Sequence, residues 1–174
     1  LELARYDEAA TTARSEIEIN PTSAMAHNNL GYALTQLRNY EEAISVLKKA
    51  IELDSDLRKA YFNLGYAYRS AGQFTEAVKT LEEYLKVQPN DEKGWSTLAG
   101  SAMSAGQYKK ALSAAQEWLK IKPEDFNAHL TLGIAYMQTG KPSEAALAFE
   151  KASLLKPENV ECLRMWGQAL ATSN

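Results

Sequence analysis

The sequence predicts an all-α protein of stacked antiparallel helix pairs, and four recurring landmarks predict it. Small residues recur thirty-four positions apart at Gly31, Gly65, Ala99, Gly133 and Gly167, each preceded by a large apolar residue (Leu30, Leu64, Leu98, Leu132 and Trp166). Alanine keeps the same step at Ala9, Ala43, Ala77, Ala111 and Ala145. A proline, or once a serine, keeps it at Pro21, Ser55, Pro89, Pro123 and Pro157. An aromatic does so at Tyr6, Tyr40, Phe74 and Tyr108 before Pro142 breaks the series. Independent landmarks sharing one such period are the mark of a repeat architecture.

Each element follows from the period. Residues 1–23 carry only the second half of a unit, with Tyr6, Ala9, Ala13 and Ile17 on the face that lacks a partner helix. In the first full unit, 24–57, the stretch from Ala24 to Leu37 has Leu30, Leu34 and Leu37 at helical spacing. The stretch from Glu41 to Leu53 does the same with Ala43, Ile44, Leu47, Ala50, Ile51 and Leu53. Gly72, Gly106 and Gly140 sit in the joints of the following units, where a left-handed residue caps the first helix. In the first unit Asn39 is expected to take that part. Units 58–91, 92–125 and 126–159 repeat the pattern, and 160–174 supply a first half only, with Leu163, Trp166 and Leu170 suited to a terminal cap. Ser23, Asp91, Asp125 and Asn159 recur in phase as N-caps, with Asp56 expected to substitute where Leu57 holds that place. The prolines stop each second helix. The small residues at Gly31 and Ala43, and their repeats, let the two helices of a unit approach closely.

Composition narrows the function. The chain has 174 residues, 45% of them hydrophobic, and a formal net charge of -3. That charge is too small for a polyanionic or polycationic partner, and no basic arm suits nucleic acid. The leading segment to Ser23 is the most acidic part. No apolar run approaches the roughly 20 residues of a bilayer span, so no membrane insertion is expected. Cys162 is the only cysteine, which fits a reducing compartment, the cytoplasm ahead of the periplasm. Beginning at Leu1 and in mid-unit, the chain reads as an excised or processed piece.

The unit from Ala60 to Asp91 resembles a tetratricopeptide repeat. It carries the Leu64-Gly65 pair, Tyr68 three residues on, the central Ala77, the large Leu81 and the closing Pro89. Four units match in full and the ends match in half. Ala99, Ser55 and Pro142 depart from the glycine, proline and aromatic of the pattern. The resemblance implies a right-handed superhelical α-solenoid whose first helices line a concave groove, and a non-enzymatic scaffold or adaptor binding a peptide or protein segment there, without cofactor or metal. Carried onto this chain, it makes Asn29, Tyr32, Lys59, Asn63, Tyr66, Arg69, Lys93, Thr97, Met103, Thr131 and Met137 the candidate peptide-binding residues.

Three features of that set suggest chemistry, and each has a plainer reading. Lys59, Arg69, Lys93 and Arg164 against Glu161 make the face basic and fit an acidic peptide, or else a solvated surface. Asn29 and Asn63 suit an extended backbone as the start of an asparagine ladder, which Thr97 and Thr131 interrupt. Met103 and Met137 form an adaptable apolar pocket or fill gaps between units. The carboxylate clamp of the family's chaperone-tail binders is excluded, because Thr97 stands where its arginine is needed and the early places hold Asn28 and Tyr32, or Phe62 and Tyr66.

Enzymatic constellations are not expected. His27 and His129 are three periods apart on first helices and read as packing residues with a polar edge. Cys162, with no nearby partner in the sequence, reads as half-buried. No phosphate-cradling glycine loop, metal spacing or nucleophile triad is present in the sequence. Two other roles stay open: self-assembly into a homo-oligomer through the terminal helices, and a regulatory or substrate-recruiting arm of a larger enzyme. The close approach of paired helices is testable at once: Gly65→Leu or Ala77→Trp is expected to cost at least a few kcal/mol by overpacking, seen as a lowered thermal midpoint.

Overall fold

The computed structural model describes residues 2–173; Leu1 and Asn174, the outer limits of the two half units, lie outside the described residues. Among the described residues there are ten α-helices and no strand: α1 (Glu2–Ile19), α2 (Ala24–Gln36), α3 (Tyr40–Leu53), α4 (Arg58–Ser70), α5 (Phe74–Val87), α6 (Glu92–Ser104), α7 (Tyr108–Ile121), α8 (Phe126–Gln138), α9 (Pro142–Leu155) and α10 (Val160–Thr172). The protein is all-α. Helices α1–α5 form one compact unit, up to Pro89, and α6–α10 a second, from Asn90.

In the first unit α2 pairs with α3 and α4 with α5, while α1 packs on α2, α3 on α4, and the first helices α2 and α4 touch. In the second unit α6 pairs with α7 and α8 with α9, α10 packs on α9, α7 on α8, and α6 touches α8. Leu30, Leu34, Ala43, Leu47, Leu64, Tyr68 and Ala77 are buried together in the first core. Ala145, Ala146, Phe149 and Ala169 form a core in the second. Each large apolar side chain so buried contributes about 1.5–3 kcal/mol.

What sets the spacing within a pair is the missing side chain of its glycine. A Cβ on Gly31 would stand 2.4 Å from Cγ of Leu47, one on Gly65 2.6 Å from Cγ of Leu81, and one on Gly133 2.5 Å from Cε1 of Phe149. Those gaps are far inside van der Waals contact, so any other residue would push the helices apart. The third pair varies the device. There the glycine's place is taken by Ala99, and the place of Leu47, Leu81 and Phe149 is taken by Ala115; both alanines are fully buried. A methyl group gained on α6 is matched by a smaller side chain on α7.

The helix starts follow the caps read from the sequence in four cases. Ser23 Oγ accepts from Ala26 N at 3.1 Å, Asp91 Oδ1 from Lys93 N at 3.0 Å, Asp125 Oδ1 from Ala128 N at 3.1 Å, and Asn159 Oδ1 from Cys162 N at 2.8 Å. Asp125 is also paired with Lys122 at 2.9 Å. Burial acts most strongly on its carboxyl and raises its pKa; the opposing hydrogen bonds from Lys122 and Ala128 outweigh it together, and the net shift is downward.

Two expectations at the joints are corrected. Asp56 does not cap α4. Leu57 holds the N-cap with no side-chain bond, and Asp56 N donates instead to Asp54 Oδ1 at 2.9 Å in a tight Asx turn. Asn39 is not the left-handed residue of the first joint: Arg38 is, with φ 64°, in phase with Gly72, Gly106 and Gly140. The backbone path is dictated by the pairing of the helices, so a residue poorly suited to that conformation adopts it. Cys162 is fully buried rather than half-buried, its thiol pKa raised by that burial, and Ala13 on α1 is buried too.

The Ala99 and Ala115 exchange predicts a coupled pair. Ala115→Leu alone is expected to cost about 1–3 kcal/mol by overpacking. Combined with Ala99→Gly it should lose markedly less than the two single costs added, a coupling of order 1 kcal/mol in a denaturant double-mutant cycle.

Candidate functional site

The first helices carry the candidate residues, and each unit presents its own set. On α2 and α4 the helical period turns Asn29 and Tyr32, and Lys59, Asn63, Tyr66 and Arg69, away from the glycines that meet the second helices. Asn29, Tyr32, Lys59 and Arg69 are exposed, and Asn63 and Tyr66 are half-buried. Tyr32 stands edge-on to Tyr6 of α1, ring centroids 6.2 Å apart at 76°, a favoured aromatic geometry. The Tyr32 hydroxyl has a raised pKa, chiefly because part of the residue is withdrawn from water, and next because of the neighbouring phenols Tyr6 and Tyr66. Three tyrosines thus gather at one place, from α1, α2 and α4.

A hydrogen bond between side-chain amides ties α2 to α4. Asn63 Nδ2 donates to Asn28 Oδ1 at 2.9 Å, and Asn28 Nδ2 donates to Asn29 Oδ1 at 3.4 Å. Asn28 is buried. Neither α2 nor α4 contains an acidic residue, while α4 contributes Arg58, Lys59 and Arg69. The exposed face of this unit is therefore aromatic in the middle and basic along α4.

In the second unit the corresponding residues are less available. Lys93 is exposed. Thr97 is buried and its Oγ1 donates back to the Lys93 carbonyl at 2.6 Å, within α6. Met103 and Thr131 are half-buried, and Met137 packs against the core with Leu130 and Ile134. Arg164 on α10 is occupied by Glu161, with Nη2 to Oε1 at 2.6 Å. The histidines bond to backbone: His27 Nδ1 lies 2.8 Å from the Ser23 carbonyl and His129 Nε2 2.8 Å from the Pro123 carbonyl. Among the described residues no group of three or more His, Cys, Asp or Glu is placed to hold a metal ion, and no helix is long and apolar enough to cross a membrane.

Helical hairpins stacked in register, with polar and aromatic side chains left outward on the first helices, define a protein-interaction scaffold. The particular family is shown by sequence: family profiles described as tetratricopeptide repeat match residues 22–90, 62–126 and 102–166, and the chain belongs to that family. No curated protein matches it by sequence. Solved structures share the fold. YrrB, described as a TPR protein with an unusual peptide-binding site, is 24% identical with a TM-score of 0.84, over 95% of this chain and 85% of that one. A MamA structure is 24% identical with a TM-score of 0.80, over 90% and 91% of the two chains. MamA from Desulfovibrio magneticus is 22% identical with a TM-score of 0.80, over 89% and 88%.

Asn28 is the residue whose part the sequence concealed: it stands outside the candidate set, and the structure makes it the buried acceptor that aligns two repeats. Its signal was the Asn28-Asn29 doublet one period before Asn63. Asn63→Ala, which strands the Asn28 amide oxygen, is expected to destabilise the chain by about 1–3 kcal/mol in urea unfolding.

Proposed function

We propose that the chain is a non-enzymatic adaptor that holds an extended, acidic peptide or protein segment on the first-helix face of its N-terminal unit. The observation that carries this reading is the composition of α2 and α4: Tyr32 and Tyr66 are grouped at the centre, Lys59 and Arg69 flank them on α4, and no acidic side chain occurs on either helix. Tyrosines offer wide, rigid contact area at low entropic cost, and they anchor interfaces well. Asn29 is exposed beside Tyr32 and its amide can donate and accept together, which suits a peptide backbone. Lys93 extends the basic character on the second unit's own first-helix face, where Thr97, Thr131, Met103 and Met137 serve mainly to shape the surface.

Binding of this kind is spread over several modest contacts, each exposed ion pair contributing about 0–1 kcal/mol. It should weaken with added salt. Fluorescence anisotropy with labelled acidic and basic peptide pools tests the reading. The native chain should prefer the acidic pool, and Lys59→Glu with Arg69→Glu should weaken that binding about tenfold or more, roughly 1.4 kcal/mol. Equal binding of the acidic pool by the native and doubly reversed chains overturns the charge assignment. Tyr32→Ala with Tyr66→Ala binding as tightly as the native chain overturns the site.

A further inference from the structure

A second recess opens on the other side of the first unit. The second helices α3 and α5 both pack on α4 but make no substantial contact with each other among the described residues. Between them lies a cleft of about 560 Å³, walled by α3 and α5 and floored by α4. Each wall has its own hairpin partner, α2 for α3 and α4 for α5. Ile51 and Tyr61 in the cleft are half-buried and Leu64 is buried, so its floor is apolar. Tyr61 and Leu64 lie on the side of α4 away from Lys59, Asn63 and Tyr66, which separates the cleft from the proposed peptide face.

The charges around this floor are not balanced. Glu52 is engaged by Lys49 at 3.1 Å and Glu83 by Lys86 at 2.6 Å, each on its own helix, and Glu82 is engaged as well. Lys48 and Lys79, one on each wall, have no carboxylate partner among the described residues. Lys48 lies over the Tyr68 ring, 5.7 Å from its centroid. Two periods on, the same places hold Gln116 and Leu147, so this pair of cations belongs to the first unit. The form of an occupant follows from the walls. The lining residues are helical, with backbone groups already bonded inside their helices, and none of them carries a side-chain amide. An extended strand entering here would leave its own peptide groups unmet. A helix satisfies its own backbone and brings an apolar stripe to such a groove. We propose that the cleft docks an acidic amphipathic helix of a partner protein, with its apolar stripe on Ile51, Tyr61 and Leu64 and its carboxylates over Lys48 and Lys79.

Three labelled peptides of equal length test this by fluorescence anisotropy at low salt. The first carries leucines at helical spacing flanked by glutamates. The second keeps that stripe but has lysines in place of the glutamates. The third keeps the composition of the first with its leucines moved off the stripe. The native chain should bind the first about tenfold or more tightly than either of the others. Lys48 and Lys79 are exposed, so Lys48→Glu with Lys79→Glu should keep the native melting temperature, and it should weaken binding of the first peptide about tenfold. Lys59→Glu with Arg69→Glu should leave that binding unchanged, and an excess of an extended, proline-containing acidic peptide should not displace it. No binding of the first peptide, equal binding of the second or third, or undiminished binding by the Lys48 and Lys79 variant overturns the proposal. Binding lost in the Lys59 and Arg69 variant instead seats the helix on the peptide face and overturns it too, while that reading stands. Loss of extended-peptide binding with the helix still bound overturns the peptide face alone.

Discussion

Everything in this structure depends on how closely two helices of a pair can approach, and that distance is set by glycine against leucine or phenylalanine. At Gly31, Gly65 and Gly133 the partner side chain occupies the space where a Cβ would be. The large residue on the second helix then reaches the first helix's backbone, and dense contact continues along the rest of the pair. The alanines at Ala43, Ala77, Ala111 and Ala145 are wholly enclosed as a result. The third pair shows that the rule concerns combined volume rather than glycine itself, since Ala99 and Ala115 share the space more evenly.

Because the glycine side of each first helix is committed to its pair, the opposite side is left for other contacts. That division gives α2 and α4 their two characters: leucines, alanines and Tyr68 inward, and Asn29, Tyr32, Tyr66, Lys59 and Arg69 outward. The Asn28–Asn63 bond then fixes one first helix against the next. A direct hydrogen bond from half-buried Asn63 to buried Asn28 permits little sliding, so the outward residues of both helices keep a constant spacing. A binding face assembled from separate helices needs that constancy.

Much of the fold was legible because a thirty-four-residue period reports each contact several times over. The caps Ser23, Asp91, Asp125 and Asn159 could be read that way, and so could the glycine joints. Arg38 could not, because arginine gives no local sign of a left-handed backbone and only its phase betrays it. Asp56 misled for a related reason: a suitable capping residue stands one place early, and its backbone is drawn into a turn with Asp54 instead. The candidate site was less legible. Whether a first-helix side chain is outward follows from periodicity, but its exposure depends on the bulk of its neighbours. Thr97 and Lys93 illustrate this, one buried and bonded to the other's carbonyl, the other in solvent.

Within each unit, the substantial helix contacts among the described residues join each helix to the next one or two along the chain. The main contacts there are between neighbours in the chain, so the entropy lost in closing loops stays small and folding should be fast. During synthesis, a hairpin emerging from the ribosome already has its immediate predecessor to pack on. Nascent chain is thereby sheltered as it lengthens, and the exposed leucines of an unfinished array are few at any moment.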